Sequence, residues 1–116
     1  MKDDKVYLLH MRDSINTIKK FTKNMDKDAF LKDELVQNTV IRQVQIIGEA
    51  SKNLSKELKR KYKHIPWKEI VGMRNILVHK YFNIDLIAVW KTVKDDIPEL
   101  ENAVLEILNE IDKEES

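Results

Sequence analysis

Residues 74–82 read RNILVHKYF, in which an arginine, an asparagine, a histidine and a tyrosine punctuate a mostly apolar run. Asn75 and His79 are four apart, so on a helix they share one face, and a hydrogen bond between them would fix the tautomer and direction of the imidazole. Arg74 and Tyr81 are seven apart and also share a face, if the helix lasts that long. Arg74 and His79 are five apart, about 140° around an ideal helix. They do not converge on one small substrate from a single straight helix. Either the helix ends near His79 and the ring swings round, or two copies of the segment meet across a two-fold axis and pool their side chains. An arginine and a histidine suit cleavage of a phosphodiester in RNA. Histidine can take a proton from a 2′-hydroxyl or give one to a leaving oxygen. Arginine can hold the non-bridging phosphate oxygens with its planar fork. Neither task requires a metal or another cofactor.

On residue types and spacing alone, an ordinary reading is the better one. Arg74 is then a surface or interface cation, and His79 a satisfied, partly buried histidine at a helix end. With no cysteine in the chain and no clustered carboxylates nearby, thiol and glycosidase-type mechanisms fit poorly. A single histidine without neighbouring ligands is weak evidence for zinc.

The segment must be positioned by helices, because helical periodicity runs through the whole chain. A first helix is expected from about Asp4 to Asn24. Leu8, Met11, Ile15 and Ile18 form its stripe, Phe21 or Thr22 continues it, and Lys and Asp fill the other face. Residues 25–33 read as a turn with a brief helical piece. A second long helix is expected from about Glu34 to Tyr62, with Val36, Val40, Val44, Ile47, Ala50 or Ser51, Leu54 and Leu58 as its seam. Its middle, VIRQVQIIGEA, is apolar on more than one face, which places it at the centre of a bundle or between a core and a partner. Gly48 there costs ~1 kcal/mol of helix propensity relative to alanine, and a close approach of another helix would explain it.

His64-Ile65-Pro66-Trp67 is the clearest break, and a shorter helix from about Trp67 to Val78 follows it. Phe82–Asp85 reads as a connection in which Asn83 would cap the next helix. The last helix is expected from about Ile84 to Asp112, with a kink near Asp95–Pro98 and a frayed KEES end. The seam Trp90, Val93, Ile97, Leu100, Val104, Ile107 and Ile111 keeps its phase past Pro98. The expected fold is one domain over 1–116, an all-α antiparallel bundle of four main helices with a possible short fifth.

Composition narrows the classes further. The chain has 116 residues, 35% charged and 42% hydrophobic, and a net charge of +1. That charge gives no global basic field for nucleic acid, so any such binding needs a local patch. Lys56, Lys59, Arg60, Lys61 and Lys63, with His64 after them, supply one candidate. Favourable placement at a helix C-terminus explains them slightly better than RNA does, unless they lie beside a cleft. Glu49, in an apolar stretch, calls for a buried or interfacial partner such as Arg42 or Arg74. His10 reads as structural or exposed, and Trp67 and Trp90 as core or interface anchors. The absence of cysteine excludes a disulfide framework, and the sequence shows no signal peptide and no membrane-length apolar run. A cytoplasmic protein with no membrane contact is expected.

The run IIGEASKNLS at 46–55, then IPWKEIVGMRNILVHKYFNID at 65–85, then Val89-Trp90 closely resembles the HepT-like branch of the HEPN superfamily. The match lies in order and spacing from the first helix to Trp90. It includes Arg-x-x-x-x-His as Arg74 and His79, the polar residue after the arginine as Asn75, and the His-x-Tyr ending as His79-Lys80-Tyr81. The resemblance implies an all-α homodimer that acts as a toxin and a metal-independent endoribonuclease. It implies that Arg74 and His79 are catalytic at a cleft shared by two copies, with Asn75 in support. It implies a minimal nucleotidyltransferase antitoxin that transfers AMP onto Tyr81. Phosphates added beside Arg74 would occupy the anion site and repel RNA. A non-catalytic binding or regulatory partner of such a nucleotidyltransferase is the competing expectation, and a purely structural bundle a third.

Overall fold

The computed structural model describes residues 2–79 and 85–116, with side chains for 3–73 and 85–116. The first apolar stripe becomes α1 (Lys2–Thr22), whose Leu8, Met11, Ile15 and Ile18 are buried. Thr22 continues the stripe, its hydroxyl bonded back to the Ile18 carbonyl, while Phe21 is exposed. A short α2 (Lys27–Leu31) follows, as expected for that turn, and α3 (Glu34–Lys52) runs back along α1. Each short-range start has a side-chain cap of the type helix N-termini favour. Asp26 accepts from Ala29 N at 2.8 Å and Asp33 from Val36 N at 3.1 Å.

The single helix expected from Glu34 to Tyr62 is two helices, α3 and α4 (Lys56–Lys61). Asn53 closes α3, and Ser55 in extended conformation (φ −64, ψ 153) caps α4 by accepting from Leu58 N. The break is held from outside the segment. Asp4, buried in the first turn of α1, accepts from Ser55 N at 2.7 Å and from Ser55 Oγ at 2.6 Å. Asp4 therefore does not belong to the solvated face of α1. The seam residues of both halves, Val36 through Leu58, are buried as expected.

Trp67 begins α5 (Trp67–His79), with the Pro66 carbonyl accepting from Ile70 N. The cap of α6 (Leu86–Lys91) is Asp85, which accepts from Ala88 N at 3.1 Å, rather than Asn83, which lies outside the described residues. Between α6 and α7 (Ile97–Glu115) the chain widens into a π-helical turn, Thr92–Asp96, closed by Ile97 N–H bonding to the Thr92 carbonyl. The irregularity thus overlaps the expected kink at Asp95 and Asp96 and begins three residues before it. Pro98 cannot donate a backbone bond and its ring crowds the carbonyl four residues earlier, and a widened turn relieves that crowding. The terminal residues do not fray. Helix α7 continues to Glu115, where Lys5 pairs with the carboxylate at 3.0 Å.

Among the described residues all regular structure is helical, with four long helices and three short ones rather than one. Lys5 with Glu115 and Lys19 with Glu101 set α1 antiparallel to α7. The core joins α1, α3 and α7, and Trp67 and Trp90 are both buried in it. Trp90 lies 5.1 Å from the Phe30 ring, which locks α2 onto α6. No described helix is long and apolar enough to cross a membrane.

Removing the Asp4 carboxylate leaves the part-buried Ser55 amide and hydroxyl without their acceptor. Asp4→Ala is expected to lower stability by about 1–3 kcal/mol in urea unfolding, and Asp4→Asn by less. An unchanged midpoint for Asp4→Ala would show that the contact contributes nothing.

Candidate functional site

Helix α5 carries three of the four candidate positions. Its start is held by Trp67, whose indole N–H donates to the Tyr62 carbonyl at 3.1 Å and whose ring is buried. Ile65 and Ile70 are buried beside it, and α5 packs against α3, within which Gly48 is buried. The helix runs without interruption through positions 74, 75 and 79. Positions 74 and 79 are therefore about 140° apart around its axis and about 7.5 Å apart along it. The side chains of Arg74, Asn75 and His79 lie outside the described set, and so does Tyr81 altogether. Gly72 lies half-buried on the same helix, and a Cβ built there meets nothing within 4 Å.

The five basic candidates separate. Lys56, Arg60, Lys61 and Lys63 are exposed, and Lys59 is half-buried with its ammonium held below its usual range by desolvation, which Asp4 partly opposes. Lys61 reaches across to α7 and pairs with Glu114 at 3.2 Å and Glu110 at 3.8 Å. Lys59, Arg60 and Lys61 occupy the last turn of α4, so the favourable helix-end placement operates on this short helix rather than at the end of a long one. The cluster precedes α5. Position 74 lies a further ~10 Å along that helix from Trp67, and position 79 ~18 Å.

The sequence reading missed two polar groups that shape this end of the molecule. One is Asp4, which fixes where α4 starts. The other is Tyr62, whose hydroxyl donates to the Glu110 carboxylate. Burial, then that hydrogen bond and the acidic face of α7, push the Tyr62 phenol above its ordinary value. The cap-type serine at 55 was a usable signal for the first, and nothing local announces the second. Glu49, expected to be buried or interfacial, is exposed within the chain, and its backbone carbonyl accepts from the Asn53 amide. His10 is exposed, edge-on to Tyr7. No group of three or more histidine and carboxylate side chains that could hold a metal occurs among the described residues.

Residues 11–107 match the family model described as ribonuclease HepT-like. The chain belongs to that family. This HepT-like chain is similar to a protein of Methanocaldococcus jannaschii named as a gamma-glutamylcyclotransferase and candidate RNase, at 49% identity over 97% of the chain but only 50% of the relative. It therefore spans half the length of that protein. A second M. jannaschii protein, a candidate RNase, is 43% identical over 89% of the chain and 94% of the relative. A Thermococcus cleftensis protein named "Probable ribonuclease HepT" is 44% identical over 85% of the chain and 90% of the relative. No solved structure gives a significant match.

Two substitutions test this part of the HepT-like fold. Gly72→Ala meets open space in a helix interior and is expected to raise stability by about 0.5–1 kcal/mol in urea unfolding. A loss of stability would show that another surface closes on that position. For Tyr62 the native state favours the protonated phenol, so its contribution is complete below pH ~10 and is lost as pH climbs beyond that value. Tyr62→Phe is expected to be less stable than the parent at pH 8, by about 0.5–1.5 kcal/mol. The gap should narrow between pH 10 and 11.5, and a gap that widens instead would contradict the assignment.

Proposed function

We propose that this chain is a metal-independent endoribonuclease, the toxin of a toxin–antitoxin pair, working as a homodimer. The observation that carries this reading is the HepT-like match across residues 11–107, which contains the whole RNILVHKYF segment. The helical run through positions 74 and 79 supports the dimeric form of the site. Two catalytic positions about 140° apart on one helix are most simply completed by a second copy.

In the proposed reaction the 2′-oxygen attacks the adjacent phosphorus and the bond to the 5′-oxygen breaks. The products are a 2′,3′-cyclic phosphate and a 5′-hydroxyl. His79 moves the proton, taking it from the 2′-hydroxyl or delivering it to the leaving oxygen. Arg74 holds the non-bridging oxygens and stabilises the charge that gathers on them, and Asn75 orients the imidazole. Lys56, Arg60 and Lys63, exposed on and just after α4, are proposed to take the RNA backbone on its way to α5. Lys59 and Lys61 contribute less, since one is half-buried and the other is paired with α7. A minimal nucleotidyltransferase antitoxin transfers AMP to the Tyr81 hydroxyl, and the added phosphate opposes RNA at the Arg74 anion site.

The test is cleavage of RNA in EDTA by the purified chain, with Tyr81 shown unmodified by mass spectrometry. His79→Ala and Arg74→Ala are each expected to slow cleavage about 10²-fold or more. Intact RNA with the unmodified parent chain would sink the ribonuclease reading and leave a non-catalytic partner of the nucleotidyltransferase.

A further inference from the structure

Helix α5 packs on α3 and α7 packs on α1, and a groove of about 520 Å³ lies between the first half of α5 and the middle of α7. Its floor is apolar. Ile65, Ile70 and Leu100 are buried there, and Met73 and Ala103 are half-buried. Its rim is acidic. Glu69 on α5 and Asp96, Glu99 and Glu106 along the π turn and α7 are all exposed. None of these four enters an ion pair among the described residues.

The rest of α7 contrasts with this rim. Glu101 is paired with Lys19, Glu110 and Glu114 with Lys61, and Asp112 and Glu115 with Lys5. Among the described residues the other α7 acids are paired with the chain's own lysines, and these four stand unpaired around an apolar floor. Like charges grouped around one groove repel one another, and a cationic occupant relieves that repulsion. RNA, with its anionic backbone, is disfavoured here.

We infer that this groove is a docking surface for a helix of a partner protein, apolar along one face and bearing Lys or Arg along both flanks. Both walls are helices whose backbone groups are already bonded, so the groove offers no edge to an extended strand. A bare polycation would leave the apolar floor wet. A second copy of this chain is a poorer fit through its basic helix, because Leu58, the apolar residue of α4, is fully buried. The inference stands apart from the ribonuclease reading, although Glu69, Ile70 and Met73 lie on the same helix as Arg74, so an occupant bears directly on α5.

The probe is a fluorescein-labelled synthetic helical peptide of about 15 residues, with leucines at three- and four-residue spacing and lysines on both flanks. Its binding to the whole chain is followed by fluorescence anisotropy. Saturable binding is expected, weakened at least tenfold in Glu99→Lys/Glu106→Lys and by a smaller factor in Glu99→Gln/Glu106→Gln, which is the milder test of folding. A peptide of the same composition with scattered leucines, or hexalysine, binding equally well would reduce the effect to charge alone and overturn the proposal. So would no binding at all, or undiminished binding to folded variants. Sedimentation of the chain alone covers the remaining occupant. If the parent self-associates and the charge-reversed variant does not, the groove belongs to a second copy, and the proposal of a partner protein falls.

Discussion

Helix α3 must satisfy two neighbours at once, and the placement of the candidate site follows from that demand. Its Val36, Val40, Val44 and Ile47 are buried, and so are Gly48, Ala50 and Ser51 further round the helix. One surface meets α1 and another meets α5. Ser51, fully buried, satisfies its hydroxyl by bonding back to the Gly48 carbonyl, so the polar atom does not disturb this double contact. A helix of this kind cannot be rotated without exposing one apolar surface, which fixes the seat of α5. The direction in which positions 74, 75 and 79 leave that helix is therefore a property of the α3 sequence as much as of α5 itself.

Much of this was legible beforehand because it is periodic. The stripes of α1, α3 and α7 follow three- and four-residue spacing, and their predicted core residues are buried from Leu8 to Ile111, apart from the end of the α1 stripe, where Phe21 is exposed and Thr22 half-buried. The break at Pro66 was legible because proline constrains the backbone locally. The break at Asn53–Ser55 was overlooked because the apolar seam from Val36 to Leu58 continues across it. What decides it is a carboxylate more than fifty positions away in sequence, and periodicity carries no information about such a contact. The π turn is a similar case. Pro98 announced an irregularity, but which residues absorb it depends on how α6 and α7 are each packed. At the site, residue types suggested the chemistry and the family resemblance supplied the roles. The buried alternative for Glu49 rested on its apolar neighbours in sequence, and neighbours in sequence on a helix face different directions; its exposure within the chain leaves the interfacial alternative standing.

Charge is sorted spatially although the chain is nearly neutral overall. Exposed cations gather on α4 and the turn after it, while α7 presents a long acidic face that is partly neutralised by Lys5, Lys19 and Lys61. A near-zero net charge thus conceals a local sorting of charge between α4 and α7. Tyr62 and Lys61 sit where the two fields meet, both engaged with Glu110.

Lys5 reaches both Asp112 and Glu115, at 3.1 and 3.0 Å, so the first and last turns of the molecule lie side by side. A unit whose two ends meet can be strung into a longer polypeptide with little rearrangement, because the chain enters and leaves at the same corner. The M. jannaschii relative of which this chain spans only half bears a second enzyme's name beside the RNase one. Adjacent ends make the HepT-like bundle portable in that sense, a module that fusion can add to or subtract from without touching the α3–α5 contact on which its candidate site depends.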